Sequence, residues 1–287
     1  MQTKPEAMLA EHLQAHPFLQ ETAALYTELT AAVQAAVVPA ALPEAEACAA
    51  LVQDGMPLLQ NKELQATFVK VAAAALPEVL AACQKRELPE AVHKAVADWA
   101  IWSDEASRKE VQHFFQLLLQ QQDAEVALFA AQAKLPVTVL RLVGWDIVEA
   151  LVPGELKQAA FWTEHSWRKN YCPVCGRQPV MAQLKKESEA NGAERFLSCG
   201  GCHTQWHFTR IGCVYCGNKD TEQLPIFIPD DGQVRLDTCN KCRSYIKTYV
   251  GHGQEQVLLQ DWATLHLDVL AEEKGLSKHG NVIVAQE

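Results

Sequence analysis

The sequence predicts an α+β protein: an N-terminal all-α helical bundle, a cysteine-rich β region, and a C-terminal helix. Three observations predict it. Composition breaks near residue 165, where alanine falls from 35 residues before the break to 6 after it, while glycine rises from 3 to 11. Eight of the 10 cysteines lie after the same break. Helical spacing of apolar residues runs through the first part and returns only over 257–274. At roughly 150 residues per domain, 287 residues suggest two domains, enough to bury a core without disulfides. The expected organisation is a helical domain over 1–165, two tandem tetrathiolate subdomains over 166–253, and a C-terminal helix and tail over 254–287.

The N-terminal part is rich in Ala, Leu, Glu and Gln, which favour helix. Val111, Phe114, Phe115, Leu118 and Leu119 follow the i, i+3, i+4, i+7, i+8 stripe, and Ser107 with Glu110 forms a capping box at the start of that helix. Leu64, Phe68, Val71 and Ala75 give a second stripe. Pro77 and Pro89 each precede Glu and another helical run, as proline at a first helical position does. Seven to nine short helices are expected. From Tyr171 to about Gly253 the chain changes to short strands and tight turns. Over 257–274 one face carries Leu258, Trp262, Leu265 and Val269, with Gly275 as the stop.

Composition excludes several classes. With 49% hydrophobic and 21% charged residues the chain is neither disordered nor collagenous. No run of 18 apolar residues exists, and the most apolar stretch, Ala31 to Leu42, is cut by Gln34 and Pro39, so no membrane insertion is expected. The opening Met-Gln-Thr-Lys-Pro-Glu lacks a basic segment leading into an apolar one, which makes a reducing cytoplasm the expected location. There, paired cysteines more often bind metal or do redox work than form structural disulfides.

The eight later cysteines form four Cys-x-x-Cys pairs: Cys172 and Cys175, Cys199 and Cys202, Cys213 and Cys216, Cys239 and Cys242. Pairs one and two are separated by 23 residues and pairs three and four by 22, so the region is a duplicated unit. A Cys-x-x-Cys turn aims two thiolates at one point, and a second turn completes a tetrahedron about a metal ion. Gly176 and Gly217 follow the second cysteine of a pair, where a rubredoxin-like or zinc-ribbon-like knuckle needs positive φ. Sequential pairing, one with two and three with four, preserves the repeat and gives two tetrathiolate sites. Four cysteines leave no open position for substrate, so zinc would act as a structural staple, whereas iron in the same cage could change oxidation state. Spacing does not separate the two ions. Neither the bacterial nor the plant-type iron–sulfur cluster spacing is present.

Residues 166–252 hold 12 Lys plus Arg and 8 Asp plus Glu, a basic excess that suggests nucleic acid until eight thiolates around two divalent ions are counted against it. The excess then vanishes, and Arg177, Arg195, Arg210, Lys241 and Arg243 are expected as partners of the anionic cages, with no nucleic-acid partner. The whole formal charge of -10 sits in the N-terminal part. His203, His207 and His252 lie near cysteines but are surplus to filled sites. Trp206 and Tyr245 are expected to pack against the cages. Asp261 and Asp268 share a helical face; capping is expected of Asp261 and a solvated or salt-bridged role of Asp268, ahead of paired acid–base work. Cys48 and Cys83 sit in Ala-rich helices as small core residues. No phosphate loop, serine elbow or zinc-protease helix is present, and no catalytic residue is assigned.

Tyr-Cys-Pro-Val-Cys-Gly at 171–176, the Cys199 pair with Trp206, His207 and Arg210, Cys-Val-Tyr-Cys-Gly at 213–217, Cys-Asn-Lys-Cys-Arg-Ser-Tyr-Ile-Lys at 239–247 and Asp-Trp-Ala-Thr-Leu-His-Leu-Asp-Val-Leu-Ala-Glu-Glu at 261–273 together resemble the formate dehydrogenase accessory protein family, FdhE type. The resemblance covers the C-terminal 120 residues or so. It implies a cytoplasmic maturation factor, not an enzyme, that acts on the catalytic subunit of a respiratory formate dehydrogenase and carries rubredoxin-like iron centres. Two other readings of the residues remain: a protein-interaction adaptor stapled by inert zinc, and a small electron-transfer oxidoreductase.

Overall fold

The computed structural model describes residues 13–14, 16–38, 42–52, 54–186, 192–229, 233–251 and 257–282. By contact the chain divides into two compact units. One is chiefly Glu21–Lys157 and is helical; it also takes in Pro173–Gly176, because the Leu58 and Leu59 N–H groups donate to the carbonyls of Pro173 and Val174 at 2.9 and 2.8 Å. The other is chiefly Gln158–Cys172 and Arg177–Gly280 and holds the sheet.

The helical unit contains, among the described residues, α1 (Gln20–Ala36), α2 (Ala45–Leu51), α3 (Lys62–Cys83), α4 (Glu90–Glu105), α5 (Arg108–Leu119), α6 (Asp123–Ala133) and α7 (Val137–Leu151). The Ser107 capping box is present in both directions, with Ser107 N–H donating to Glu110 at 2.7 Å and Glu110 N–H donating to the Ser107 hydroxyl at 3.3 Å. The five-residue stripe of α5 is buried throughout. Trp99 and Phe114 meet edge-on at 5.5 Å, and Phe114 meets Phe129 at the same distance. Gly144 lets α7 cross α5 closely, since a Cβ there would stand 2.7 Å from Leu118.

Two expectations fail in α3. Pro77 lies inside the helix rather than at the start of a new one and is exposed; lacking an N–H, it leaves the carbonyl four residues back without its helical donor. The buried face is Phe68, Val69, Ala72, Ala73, Leu76, Val79, Leu80 and Cys83, which shares only Phe68 with the expected stripe; Asn61 caps the helix, its side chain accepting from Glu63 N–H and Leu64 N–H. By length and composition α3 would also suffice to cross a membrane, although Lys62, Glu63, Lys70 and Glu78 interrupt its apolar run. Its eight buried residues belong to the core of this unit.

The sheet unit opens with α8 (Ala159–Glu164) and continues through β1 (Pro179–Lys186), β2 (Ala193–Cys199), β3 (Gln205–Phe208), β4 (Ile226–Phe227), β5 (Val234–Cys239) and β6 (Ser244–Gly251), then α9 (Val257–Ala263), α10 (Leu265–Glu273) and β7 (Ser277–Lys278). Strand order is β3-β2-β1-β6-β5-β4, with β7 parallel to β6. Each half is an antiparallel three-stranded unit, and the halves join where β1 lies parallel to β6, Met181 opposite Lys247. The two expected subdomains are therefore halves of one continuous sheet. Val180, Met181, Leu236, Tyr245 and Tyr249 pack on Val257, Leu267, Ala271 and Leu276 in a single apolar cluster.

The C-terminal helix is broken. Thr264 leaves helical geometry at φ −118°, ψ 33°, its hydroxyl donates back to Gln260 O at 2.6 Å, and α9 and α10 separate there. The face turned inward is Val257, Leu259, Ala263, Leu267 and Ala271, while Leu265 and Val269 are exposed. At the break the fully buried Lys247 ammonium donates to the carbonyls of Asp261 and Thr264, at 2.7 and 3.3 Å, the latter also accepting from Leu267 N–H. Lys247 also meets the Asp261 and Asp268 carboxylates at 2.7 Å, and Lys278 meets the same pair at 2.6 and 3.2 Å. Asp261 is thus an ion-pair member in the body of α9, not a cap. Gly275, at φ +68°, ends α10 as expected, with Leu276 N–H donating to Ala271 O.

Candidate metal centres

The cysteines assemble one-with-two and three-with-four. In each group the four Sγ atoms lie within 4.8 Å of one another. Cys172 and Cys202 sulfurs are 3.4 Å apart, Cys213 and Cys242 3.6 Å, and Cys216 and Cys239 3.7 Å. A disulfide needs about 2.05 Å. Four sulfurs at a metal–sulfur bond of about 2.3 Å stand about 3.8 Å apart in a tetrahedron, so the spacing and the soft donor set both fit a divalent or trivalent transition-metal ion. Each group can hold a metal ion.

One local device builds all four knuckles. The first cysteine's N–H donates to the carbonyl five residues on: Cys172 to Arg177, Cys199 to Thr204 and Cys213 to Asn218, at 2.8–2.9 Å, while Cys239 sits opposite Ser244 in the β5–β6 ladder. The residue after the second cysteine takes positive φ in every case: Gly176 at 80°, His203 at 58°, Gly217 at 71° and Arg243 at 57°. Tip N–H groups then face the first sulfur, as Gly201 does for Cys199 and Tyr215 for Cys213, both at 3.4 Å. The Thr204 hydroxyl lies 3.1 Å from Cys202 Sγ, and the Asn218 side-chain amide donates toward Cys239 Sγ at 3.9 Å. Donors aimed at sulfur favour the thiolate.

The flanks hold the knuckles in place. Trp167 and Trp206 donate their indole N–H groups to Tyr171 O and Lys169 O, at 3.0 and 2.9 Å, and so fix the segment leading into Cys172. Asn170 donates to Val214 O at 2.9 Å, and the Tyr215 hydroxyl to Pro179 O at 3.2 Å. Arg195, only 3% exposed, donates to Gly212 O at 3.0 Å just ahead of Cys213 and lies 3.6 Å from Asp237. Asp237 also pairs with Arg235 at 2.8 Å and accepts from Thr248 at 2.8 Å. Of the expected cage partners, Arg195 is thus tied to the second group's entry, while Arg243 donates to Lys274 O instead. Tyr245 lies in the apolar cluster, its hydroxyl donating to Asp268 at 2.9 Å.

The groups differ in exposure. All four cysteines of the first are buried; in the second Cys216 is exposed and Cys242 half-buried. Within the second group burial pushes the Cys213 thiol up to about 12, whereas at Cys239 the effect of burial is outweighed by N–H donation from Cys242 and Lys241 and the thiol falls to about 7. Four crowded thiols cannot all ionise without a cation among them. His203 and His207 belong to neither group, His207 lying instead 3.9 Å from Glu194; His252 is outside the described residues. Cys48 and Cys83 are buried in α2 and α3, with thiols pushed up to about 11 by burial.

Sequence reasoning missed three features. Positive φ at His203 and Arg243 was available from aligning the residue after each second cysteine. The Arg195–Asp237–Arg235 cluster and the Lys247–Lys278 cluster depend on pairs separated by 42, 14 and 17 positions, Arg195 with Asp237 and Lys247 and Lys278 with Asp261, which carry no local signal.

The fold and site define a class: a helical unit with a sheet of two zinc-ribbon-like halves, each carrying one tetracysteine group. Residues 171–284 match the FdhE family. The family's central domain, described as "FdhE, central domain", matches residues 171–210, which include the first group, and "FdhE, C-terminal domain" matches 211–284, which include the second. The FdhE homolog of Aquifex aeolicus (strain VF5) is 40% identical over 119 residues, 40% of this chain and 42% of that protein. Protein FdhE of Escherichia coli O157:H7 is 28% identical over 138 residues, 47% of this chain and 42% of that protein. The matched stretch thus spans 42% of the length of these curated relatives. The crystal structure of the FdhE protein from Pseudomonas aeruginosa has the same fold, with a TM-score of 0.66 at 22% identity over 99% of this chain and 98% of that one.

Proposed function

We propose that this chain is an accessory factor for formate dehydrogenase, not an enzyme, that it binds the catalytic subunit of a respiratory formate dehydrogenase in the cytoplasm, and that Cys172, Cys175, Cys199 and Cys202 hold one iron ion and Cys213, Cys216, Cys239 and Cys242 another. The observation that carries this is the coincidence of each matched FdhE domain with one complete tetracysteine group. Closed four-sulfur coordination leaves no position for a substrate, which supports a role other than Lewis-acid catalysis. Iron so held supplies one-electron redox chemistry, while zinc would supply only rigidity. The protein's own contribution is to orient the sulfurs through the knuckle N–H groups and to exclude water from the first group. That group's complete burial favours a staple there with either ion, and the exposed Cys216 favours exchange or electron passage at the second.

The test is capture of the purified catalytic subunit by the metal-loaded chain, prepared without oxygen. Specific, saturable binding and a red ferric chromophore are expected. A colourless zinc protein that still binds would favour the stapled adaptor; no binding would contradict the accessory role.

A further inference from the structure

A cavity of about 390 Å³ opens beside the second cysteine group, wholly within the sheet unit. Leu224, Ile226 and Ile246 make it apolar, while Arg195, Arg210 and Arg235 line it against a single carboxylate, Asp237. With a divalent ion among them, the four thiolates of the second group would carry a net negative charge that offsets part of that surplus. Arg210 is exposed and makes no ion pair among the described residues. The Arg195 Nε is buried with no hydrogen-bond partner among the described residues. The volume lies in the range of ligand pockets, roughly 300–1,000 Å³.

The rim indicates what kind of ligand. Strand β4 is an edge of the sheet, and Ile211, Ile226, Phe227 and Ile228 around it are 43–62% exposed. Proteins ordinarily protect apolar edge strands, and an open one takes an added strand readily. We propose that this cavity and the β4 edge bind an extended protein segment in which an aspartate or glutamate adjoins a large aliphatic side chain, the carboxylate meeting the arginines and the aliphatic group meeting Leu224, Ile226 and Ile246. The inference needs only the sheet and its arginines and does not depend on the accessory role.

The test titrates the full chain, loaded with diamagnetic zinc so that amides beside the second group stay visible, with acetyl-Leu-Asp-Leu-amide while amide resonances are followed. Saturable shifts are expected at Ile226, Thr238 and Ile246. Affinity should fall about tenfold or more with the Asn counterpart of the peptide and in Arg210→Ala, through loss of a charge-assisted hydrogen bond. Arg210 is exposed, so that variant keeps the test sound even if Arg195→Gln fails to fold. Equal affinity for the Asp and Asn peptides, shifts confined to other surfaces, no saturable shift, or the same response to acetate alone would each overturn the proposal.

Discussion

Four residues, Gly176, His203, Gly217 and Arg243, turn the chain back at equivalent knuckle positions with φ between 57° and 80°. Two of the four were legible as glycines; His203 and Arg243 were legible only through their place in the repeat, after the second cysteine of a pair, and not from residue type. At Gly217 an added Cβ would meet nothing within 4 Å, so Gly217→Ala isolates the backbone cost, about 1–2 kcal/mol measured by reversible denaturation. At Gly280 the same addition would stand 2.5 Å from the Pro179 backbone, and Gly280→Ala is expected to destabilise the protein more than the change at 217 does. Exposure makes a second residue-level prediction. Because Cys216 is exposed and the first group is fully buried, a competing chelator should strip metal in two phases, and Cys216→Ser should remove the fast phase. A single phase in the wild-type protein would contradict it.

The break between α9 and α10 shows why one element was only half legible. The apolar pattern indicated helix over 257–274 and Gly275 as its stop, but the buried face depended on Thr264 and on an ammonium arriving from β6, neither of which periodicity reports. Burial pushes Asp261 up, yet Lys278 and Lys247 outweigh it and hold the carboxyl below its ordinary 3.8. A carboxylate whose folded pKa is depressed contributes stability that is present above its unfolded pKa and lost as pH falls through the folded value. Unfolding temperature should therefore fall below about pH 4, and less steeply in Asp261→Asn. Lys247→Met leaves two buried carboxylates facing Lys278 alone, an expected loss of about 3–5 kcal/mol, read from denaturant midpoints.

At the scale of the molecule the composition break, the helical first half and the cysteine repeat were all legible, because alanine content and Cys-x-x-Cys spacing are properties of the chain itself. The fusion of the two halves through the parallel β1–β6 pair was not, since that pair joins the first strand of one copy to the last of the other, 66 positions apart at Met181 and Lys247. The repeat still governs the account's central claim, that the two tetracysteine groups are separate iron centres. The most direct measurement is metal content per chain in protein purified without oxygen, for the wild type and for the pairs Cys172→Ser/Cys175→Ser and Cys213→Ser/Cys216→Ser. Two iron ions per wild-type chain and one in each variant are predicted. Zinc in place of iron, fewer than two ions in the wild type, or a variant that retains both would contradict it.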